Sequence, residues 1–467
     1  MNPKYKYLIK NTGILAISNF SSKLLVFFLV PLYTGVLTPK EYGIFDIISS
    51  TVALLIPLLT LNIVSGVMLF SMDSRESKEE VATIGFIIEI IACLMFTLLI
   101  YINYVFQVFD ALNGIEVLVV LYMFTNAFGL YANQLAKGQE KVFEIGVSGI
   151  LATIAAVSLN VYFLLYLKLG FIGFFLAGVL AHAISIFYLL FSLKFWNLIK
   201  INLISKRLTK EMVAYSLPVI LTNIGWWVNG AADKYTVTFF CGISLNGLLA
   251  ISYKIPTIIN TVQTIFMQAW QISAIKEYEN GDTFYKQMFE YFNLLMCISC
   301  SILILLTRPL ASFLYAKDFY NAWQYVPLLL VCSVINGAAG FIGPILAANK
   351  DSKTMAKSAI YGSITNILLN ILLTYYIGVQ GAIIATLISS YVMYTYRKSV
   401  IGDRIVSKLY VPINIVWFLL IIQCFIEIHL QNYLLELFVL ASIIALLREP
   451  FCKCFAKGII LFSRGFR

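Results

Sequence analysis

Charge is what this sequence has least of: only 12% of its 467 residues are Asp, Glu, Lys or Arg, where soluble domains carry roughly a quarter. Acids are the scarcer sign, 23 against 33 Lys and Arg, which leaves a net charge of +10. With 60% apolar residues and a mean hydropathy of +0.88, no water-soluble core accounts for the composition, and the chain reads as a membrane protein. A Gly-x-x-x-x-Gly-Lys-Ser/Thr run is missing, which argues against ATP hydrolysis by this chain. A disulfide framework is missing too. Cys93, Cys297, Cys300, Cys332 and Cys424 fall inside apolar runs, and Cys452 and Cys454 fall in the basic tail. Cys297-Ile-Ser-Cys300 has the spacing of half a zinc site but no second pair, so neither a metal nor any other cofactor is expected. Long connections are also lacking, and the longest outer one, Thr307 to Asn321, cannot house a domain. No small-x-small cleavage site follows the first apolar run, which therefore reads as a span and not as a signal peptide.

What is present is a succession of apolar runs near the length of a membrane-crossing helix, about 20 residues. About fourteen are counted, at 10–37, 42–70, 82–106, 115–136, 143–167, 170–193, 212–240, 245–273, 288–306, 323–347, 355–377, 380–396, 410–428 and 432–447. With the N-terminus inside, 26 of the 33 Lys and Arg fall in inner segments and 4 in outer connections. The positive-inside rule then places both termini in the cytoplasm. It also explains the net charge as topology and contact with anionic lipid, so no nucleic-acid partner is expected. The inner connection from Lys194 to Glu211 mixes Phe195, Trp196, Leu198, Ile199, Ile201, Leu203 and Ile204 with basic residues, and is expected to be an interfacial amphipathic helix.

The chain also repeats itself. Laying residue n over n+204 matches Ser18-Asn19 to Thr222-Asn223, Gly43 to Gly247 and Ile47 to Ile251. At an offset of 208, Leu169-Gly170-Phe171-Ile172-Gly173 lies over Ile377-Gly378-Val379-Gln380-Gly381. The fold class expected is therefore all-α integral membrane: two six-helix lobes at 1–194 and 212–400, a linker at 195–211, and two further helices with a basic tail at 401–467. Duplicated membrane folds of this kind are typical of secondary transporters, which hold substrate between the repeats.

Polar residues inside the spans fall on helix faces. Lys254, Thr257, Thr261, Thr264, Gln268 and Gln271 recur at spacings of 3 and 4. Ser216, Asn223, Asn229, Gly230 and Asp233 answer in the seventh span, Asn11, Ser18, Asn19, Ser22 and Lys23 in the first, and Ser363, Asn366, Asn370 and Thr374 in the eleventh. They line a shared aqueous cavity or act as hydrogen-bonded glue between helices; the spacing alone leaves both open. Intramembrane charges are costly, at about 2.5–3.5 kcal/mol on insertion scales, and so point to function. Lys23 faces a water-filled cavity as an anion contact or pairs with a carboxylate such as Asp46. Asp233 and Lys254 lie on either side of the turn near Ile243 and are expected to form an ion pair, with Lys234 about 100° round its helix from Asp233. Glu89 reads as a carboxylate near the inner interface or a coupling site.

Several short motifs, taken in order, carry a resemblance. They are Ile17-Ser18-Asn19-Phe20, Leu37-Thr38-Pro39-Lys40-Glu41-Tyr42-Gly43, Asn133-Gln134-Leu135-Ala136-Lys137-Gly138-Gln139, Tyr215-Ser216-Leu217-Pro218, Ala231-Ala232-Asp233-Lys234 and Gly378-x-x-Gly381-Ala382. From about residue 8 to 400 the chain resembles the polysaccharide or O-antigen-type lipid-linked oligosaccharide flippases of the multidrug/oligosaccharidyl-lipid/polysaccharide exporter superfamily. A count of fourteen spans is also similar to the peptidoglycan-precursor flippases. The resemblance implies a bacterial inner-membrane protein that moves an undecaprenyl-diphosphate-linked oligosaccharide between leaflets by alternating access. Its partners would be that substrate, membrane lipid and other polysaccharide-assembly membrane proteins. On this reading Lys23, Lys234 and Lys254 suit the diphosphate. Asn19, Asn223, Asn229, Asp233, Thr257, Thr261, Thr264, Gln268, Gln271, Asn366 and Asn370 would line the cavity, with Trp226, Trp227 and Trp270 close by for sugar rings. A cation-coupled multidrug exporter shares the fold but needs an acidic pocket. An integral-membrane polymerase or ligase needs a substantial outer loop.

Overall fold

The Leu37-to-Gly43 motif is a helix start. Thr38 caps the helix Pro39–Leu59: its hydroxyl accepts from the Glu41 backbone N–H, and the Glu41 carboxylate accepts from the Thr38 N–H at 2.8 Å. Pro39 takes the first helical position, where its missing N–H has no partner to lose. The motif is thus written by the physics of helix capping, whatever else it marks.

The computed structural model describes residues 27–73, 75–276, 282–349, 351–402 and 413–448. Lys23, Asn19, most of the first expected span and the basic tail lie outside them. The described residues are helical, with no strand among them. We label the main helices α1 (Val30–Val36), α2 (Pro39–Leu59), α3 (Ile63–Met72), α4 (Lys78–Phe106), α5 (Glu116–Gly138), α6 (Val142–Val161) and α7 (Gly170–Ser192). They continue with α8 (Lys206–Cys241), α9 (Ile243–Ser252), α10 (Pro256–Lys276), α11 (Asp282–Leu305), α12 (Thr307–Leu314) and α13 (Val326–Ala348). The last are α14 (Ser352–Ile377), α15 (Val379–Ile401), α16 (Ile413–Phe425) and α17 (Tyr433–Leu446).

Among the described residues, eight helices are long and apolar enough to cross a membrane. The count of fourteen is not reached on that criterion. Most of the first expected span lies outside the described residues, and of the two that are broken, 42–70 still counts through α2, whereas 245–273, split into α9 and α10, does not. Others, α8 among them, carry the polar residues singled out above.

The chain divides into two compact units between Gly230 and Ala231, inside α8. In the first unit, Ile63, Val67, Tyr131, Leu135, Leu208 and Met212 share one apolar core, and Ile48, Val52, Phe96, Met123 and Phe175 share another. The early part of α8 joins this unit because Leu208 and Met212 are buried in its core. In the second unit α13 is the central helix: 78% of its most apolar stretch is buried, against 22% for α14.

The inner connection differs from the amphipathic helix expected. A single helical turn at Phe195–Leu198 follows Lys194 in a left-handed conformation (φ 50°), then a 3-10 turn at Ile201–Leu203. The segment is tied to α4 instead: the Lys200 N–H donates to the Thr83 hydroxyl (2.9 Å), the Ser205 N–H donates to the Glu80 carboxylate (2.8 Å), and Phe195 is buried. Those backbone bonds compete with a continuous helix.

The repeated glycine motif has a geometric cause. Gly378 turns the chain between α14 and α15 at φ 63°. A Cβ on Gly381 would run into the Leu373 carbonyl, so the two helices meet backbone to backbone. The corresponding Gly170 also has positive φ, 55°. Exposed aromatic residues close several helices: Tyr101, Tyr104 and Phe106 on α4, Tyr162 and Tyr166 after α6, and Tyr375 and Tyr376 on α14.

Candidate functional site

In the first unit the polar residues of α8 meet the break between α2 and α3. Leu61 and Asn62 both adopt positive φ, 52° and 50°, a conformation that side chains other than glycine rarely take. Asn62 is buried, donates to the Ser65 hydroxyl at 2.9 Å and accepts from the Asn223 amide at 3.2 Å. On either side of it, the Ser216 hydroxyl accepts from the Gly66 N–H (3.2 Å) and the Trp227 indole donates to the Ser50 carbonyl (2.7 Å). Three rungs thus fasten one face of α8 to the jointed pair α2 and α3. The side chains of Trp226 and Asn229 lie outside the described residues.

In the second unit Asp233 is buried. Its carboxylate accepts from the Lys234 backbone N–H at 3.0 Å and from the Tyr253 hydroxyl. Tyr253, Lys254 and Ile255 form the non-helical joint between α9 and α10, just before Pro256. Across the turn near Ile243, Asp233 thus meets the residue next to Lys254. Lys254 sits in the joint and not on the helix that carries Thr257 to Gln271.

One turn along α8, the Thr236 hydroxyl lies 3.0 Å from Asn370 Oδ1. The Asn370 amide donates to Asn366 (3.2 Å), whose own amide donates to the Thr386 and Ser389 hydroxyls (3.1 and 3.3 Å). Asn366 and Asn370 are buried, and through these bonds they hold α8, α14 and α15 together. Of the α10 stripe, Thr261 is buried, Thr257 is half-buried, and Thr264, Gln268 and Gln271 are exposed. The three threonine hydroxyls all bond back to carbonyls of their own chain. Trp270 is no sugar platform here: it is buried, stacks on Phe341 with ring centroids 4.2 Å apart, and donates to the Phe341 carbonyl.

The sequence reading missed Asn62, Tyr253 and Arg397. Arg397 is buried at the end of α15, donating to the Ser358 hydroxyl (2.9 Å) and the Ala339 carbonyl (2.8 Å). A polar residue next to a proline-marked helix break was the available signal for the first two. Glu89 is fully buried near Cys93 and Tyr131, and neither of its oxygens has a hydrogen-bond partner.

A family profile described as polysaccharide biosynthesis protein matches residues 8–271, more than half of the chain. The chain belongs to that family. No curated protein is similar enough to count as a relative. Among solved structures, the lipid II flippase MurJ in an inward closed conformation matches with a TM-score of 0.69 at 16% identity, over 94% of this chain and 99% of that one. An inward-facing multidrug resistance MATE family transporter of the MOP superfamily matches with a TM-score of 0.64 at 13% identity, over 83% and 98%. Its outward-facing counterpart gives 0.55 at 13%, over 82% and 90%. At these identities the likeness is one of fold: the chain is a multi-pass, all-helical membrane protein built like the flippases and transporters of that superfamily.

Proposed function

We propose that this protein is a flippase that carries an undecaprenyl-diphosphate-linked oligosaccharide, a polysaccharide repeat unit, from the cytoplasmic to the outer leaflet of a bacterial inner membrane by alternating access. The observation that carries the reading is the family match over residues 8–271, which spans the polar faces of the first, seventh and eighth spans. The lipid II flippase fold adds support, because it is matched over 94% of this chain where the multidrug transporter is matched over 83%. Lys23, Lys234 and Lys254 would hold the diphosphate, Asn223, Thr264, Gln268 and Gln271 the sugars. Both termini would be cytoplasmic, the protein would work beside other polysaccharide-assembly membrane proteins, and it would perform no covalent chemistry.

Lys23 tests the reading. If the charge holds a diphosphate, Lys23→Arg keeps substantial transport, Lys23→Gln loses most of it and Lys23→Glu abolishes it, all at normal protein levels; arginine's fork differs from an ammonium, so full activity is not required. Well-expressed Lys23→Gln protein that transports at the unmodified rate would remove the diphosphate contact. Depletion should make lipid-linked oligosaccharide accumulate in the cytoplasmic leaflet. Dye efflux without such accumulation would favour a multidrug exporter instead.

A further inference from the structure

Arg308, at the start of α12, donates two parallel hydrogen bonds to Glu427, Nε to Oε1 and Nη2 to Oε2, both at 3.1 Å. Its guanidinium also lies 4.7 Å over the Tyr433 ring. One turn beyond Tyr433 stands Glu436, beside Glu427 and within electrostatic reach of Arg308. Both glutamates are fully buried, while the Arg308 side chain keeps 17% of its surface open. No donor among the described residues reaches the Glu436 oxygens; what lies within hydrogen-bonding reach of them is the Glu427 carboxyl.

The charges do not balance. Two carboxylates share one guanidinium, and Arg308 gives its two shorter bonds to Glu427 and a longer one, 3.5 Å, to Gln431. An uncompensated buried carboxylate costs several kcal/mol; two adjacent acids avoid that cost when one takes up a proton. The neighbouring polar pair shows what a purely structural contact looks like here. One turn back on α16, Ser301 and Gln423 exchange two hydrogen bonds, 2.6 and 2.9 Å, and leave nothing unsatisfied.

We propose that Glu427 and Glu436 hold one proton between them, making a buried proton-binding site where α12, α16 and α17 meet, with Arg308 as its fixed counter-charge. The step is transfer of a proton from hydronium to a Glu436 carboxylate oxygen, releasing water. Arg308 is the open side of the site, and the charge distribution of the connections puts that side outside the cell. Among the described residues, the other titratable groups beside it are Tyr433 on α17 and Cys424 on α16. His429, on the same turn as Glu427, packs its ring on Phe425. The site lies apart from Lys23, Lys234 and Lys254 and does not depend on the substrate proposed above.

Infrared difference spectroscopy of the full chain in lipid vesicles at neutral pH reads it directly, through the carbonyl band of a protonated carboxyl group. Glu436→Gln should remove the intensity of one such group, and Glu89→Gln should leave this band in place. Glu427→Gln should also remove it, because Glu436 is then the one carboxylate left to Arg308 and ionises; this variant serves if Glu436→Gln does not fold. Arg308→Gln should add one group, since both acids then lose their counter-charge. Unchanged intensity in Glu436→Gln would overturn the proposal. So would loss of the wild-type band on adding sodium chloride to a sodium-free sample, which would make the ligand a metal cation.

Discussion

A buried carboxylate decides how Asp233 behaves. It accepts from the Tyr253 hydroxyl and the Lys234 N–H, and a hydrogen bond to a charged group is worth about 1.5–3 kcal/mol. Tyr253→Phe should therefore lower thermal stability in detergent by that order, and Asp233→Asn should make the loss at Tyr253 smaller. Additive losses would mean that the two side chains do not act as a pair. Asp351 shows the opposite situation, at the exposed start of α14. The Thr354 hydroxyl and backbone N–H hold its carboxyl below the usual carboxylate range. A depressed pKa means stabilisation that is full above the unfolded value, about 3.9, and lost as pH falls through the folded value. Protection of the amides in the first turn of α14, measured relative to the intrinsic exchange rate at each pH, should thus fall in acid, and Asp351→Asn should remove that dependence on pH. Of these groups the sequence marked Asp233, as a charge inside an apolar run. Tyr253 stayed hidden because a tyrosine in a membrane span needs no special explanation.

Helix boundaries were legible where chemistry is local. The Thr38-Pro39-Lys40-Glu41 box and the Gly378 turn are set by residues within four positions of each other. The joints at Thr60–Asn62 and Tyr253–Ile255 were marked only by Pro57 and Pro256, because each sits inside a long apolar run and periodicity averages over a break of three residues. Yet the joints are where the polar contacts gather. The three rungs between α8 and the α2–α3 pair can be tested as one element. Cysteines at Asn62 and Asn223 should join on oxidation, stop transport and release it on reduction. A Cβ on Gly66 would sit 3.0 Å from the Ser216 hydroxyl and 3.2 Å from the Met212 carbonyl. Gly66→Leu should therefore loosen α8 more than Ser216→Ala does, read as faster labelling of a cysteine at Met212.

For the whole molecule, composition was enough to put the chain in a membrane, and order of motifs enough to give the family. It could not tell which polar faces look into water, because a hydroxyl that serves as glue and one that lines a cavity have the same spacing. Asn366 and Asn370 proved to be buried; Thr264 and Gln268 are open, but so is Ile265, on a different face of α10. In a background lacking the native cysteines, a water-soluble thiol reagent should modify cysteines at Thr264 and Gln268 and spare one at Ile265, which would separate an aqueous face from a lipid-covered one. Uniform protection would leave no cavity along α10. The exposed tyrosines closing α4, α6 and α14 carry a consequence of another kind. Rings of this type settle at the level of the lipid headgroups, so they moor the chain at a fixed height, and a bilayer whose acyl chains are too short or too long must deform around them or tilt the helices. Flux in vesicles should accordingly peak at one acyl-chain length, and replacing Tyr104, Tyr166 and Tyr376 with leucine should flatten that optimum: the membrane's thickness is a setting that this protein reads.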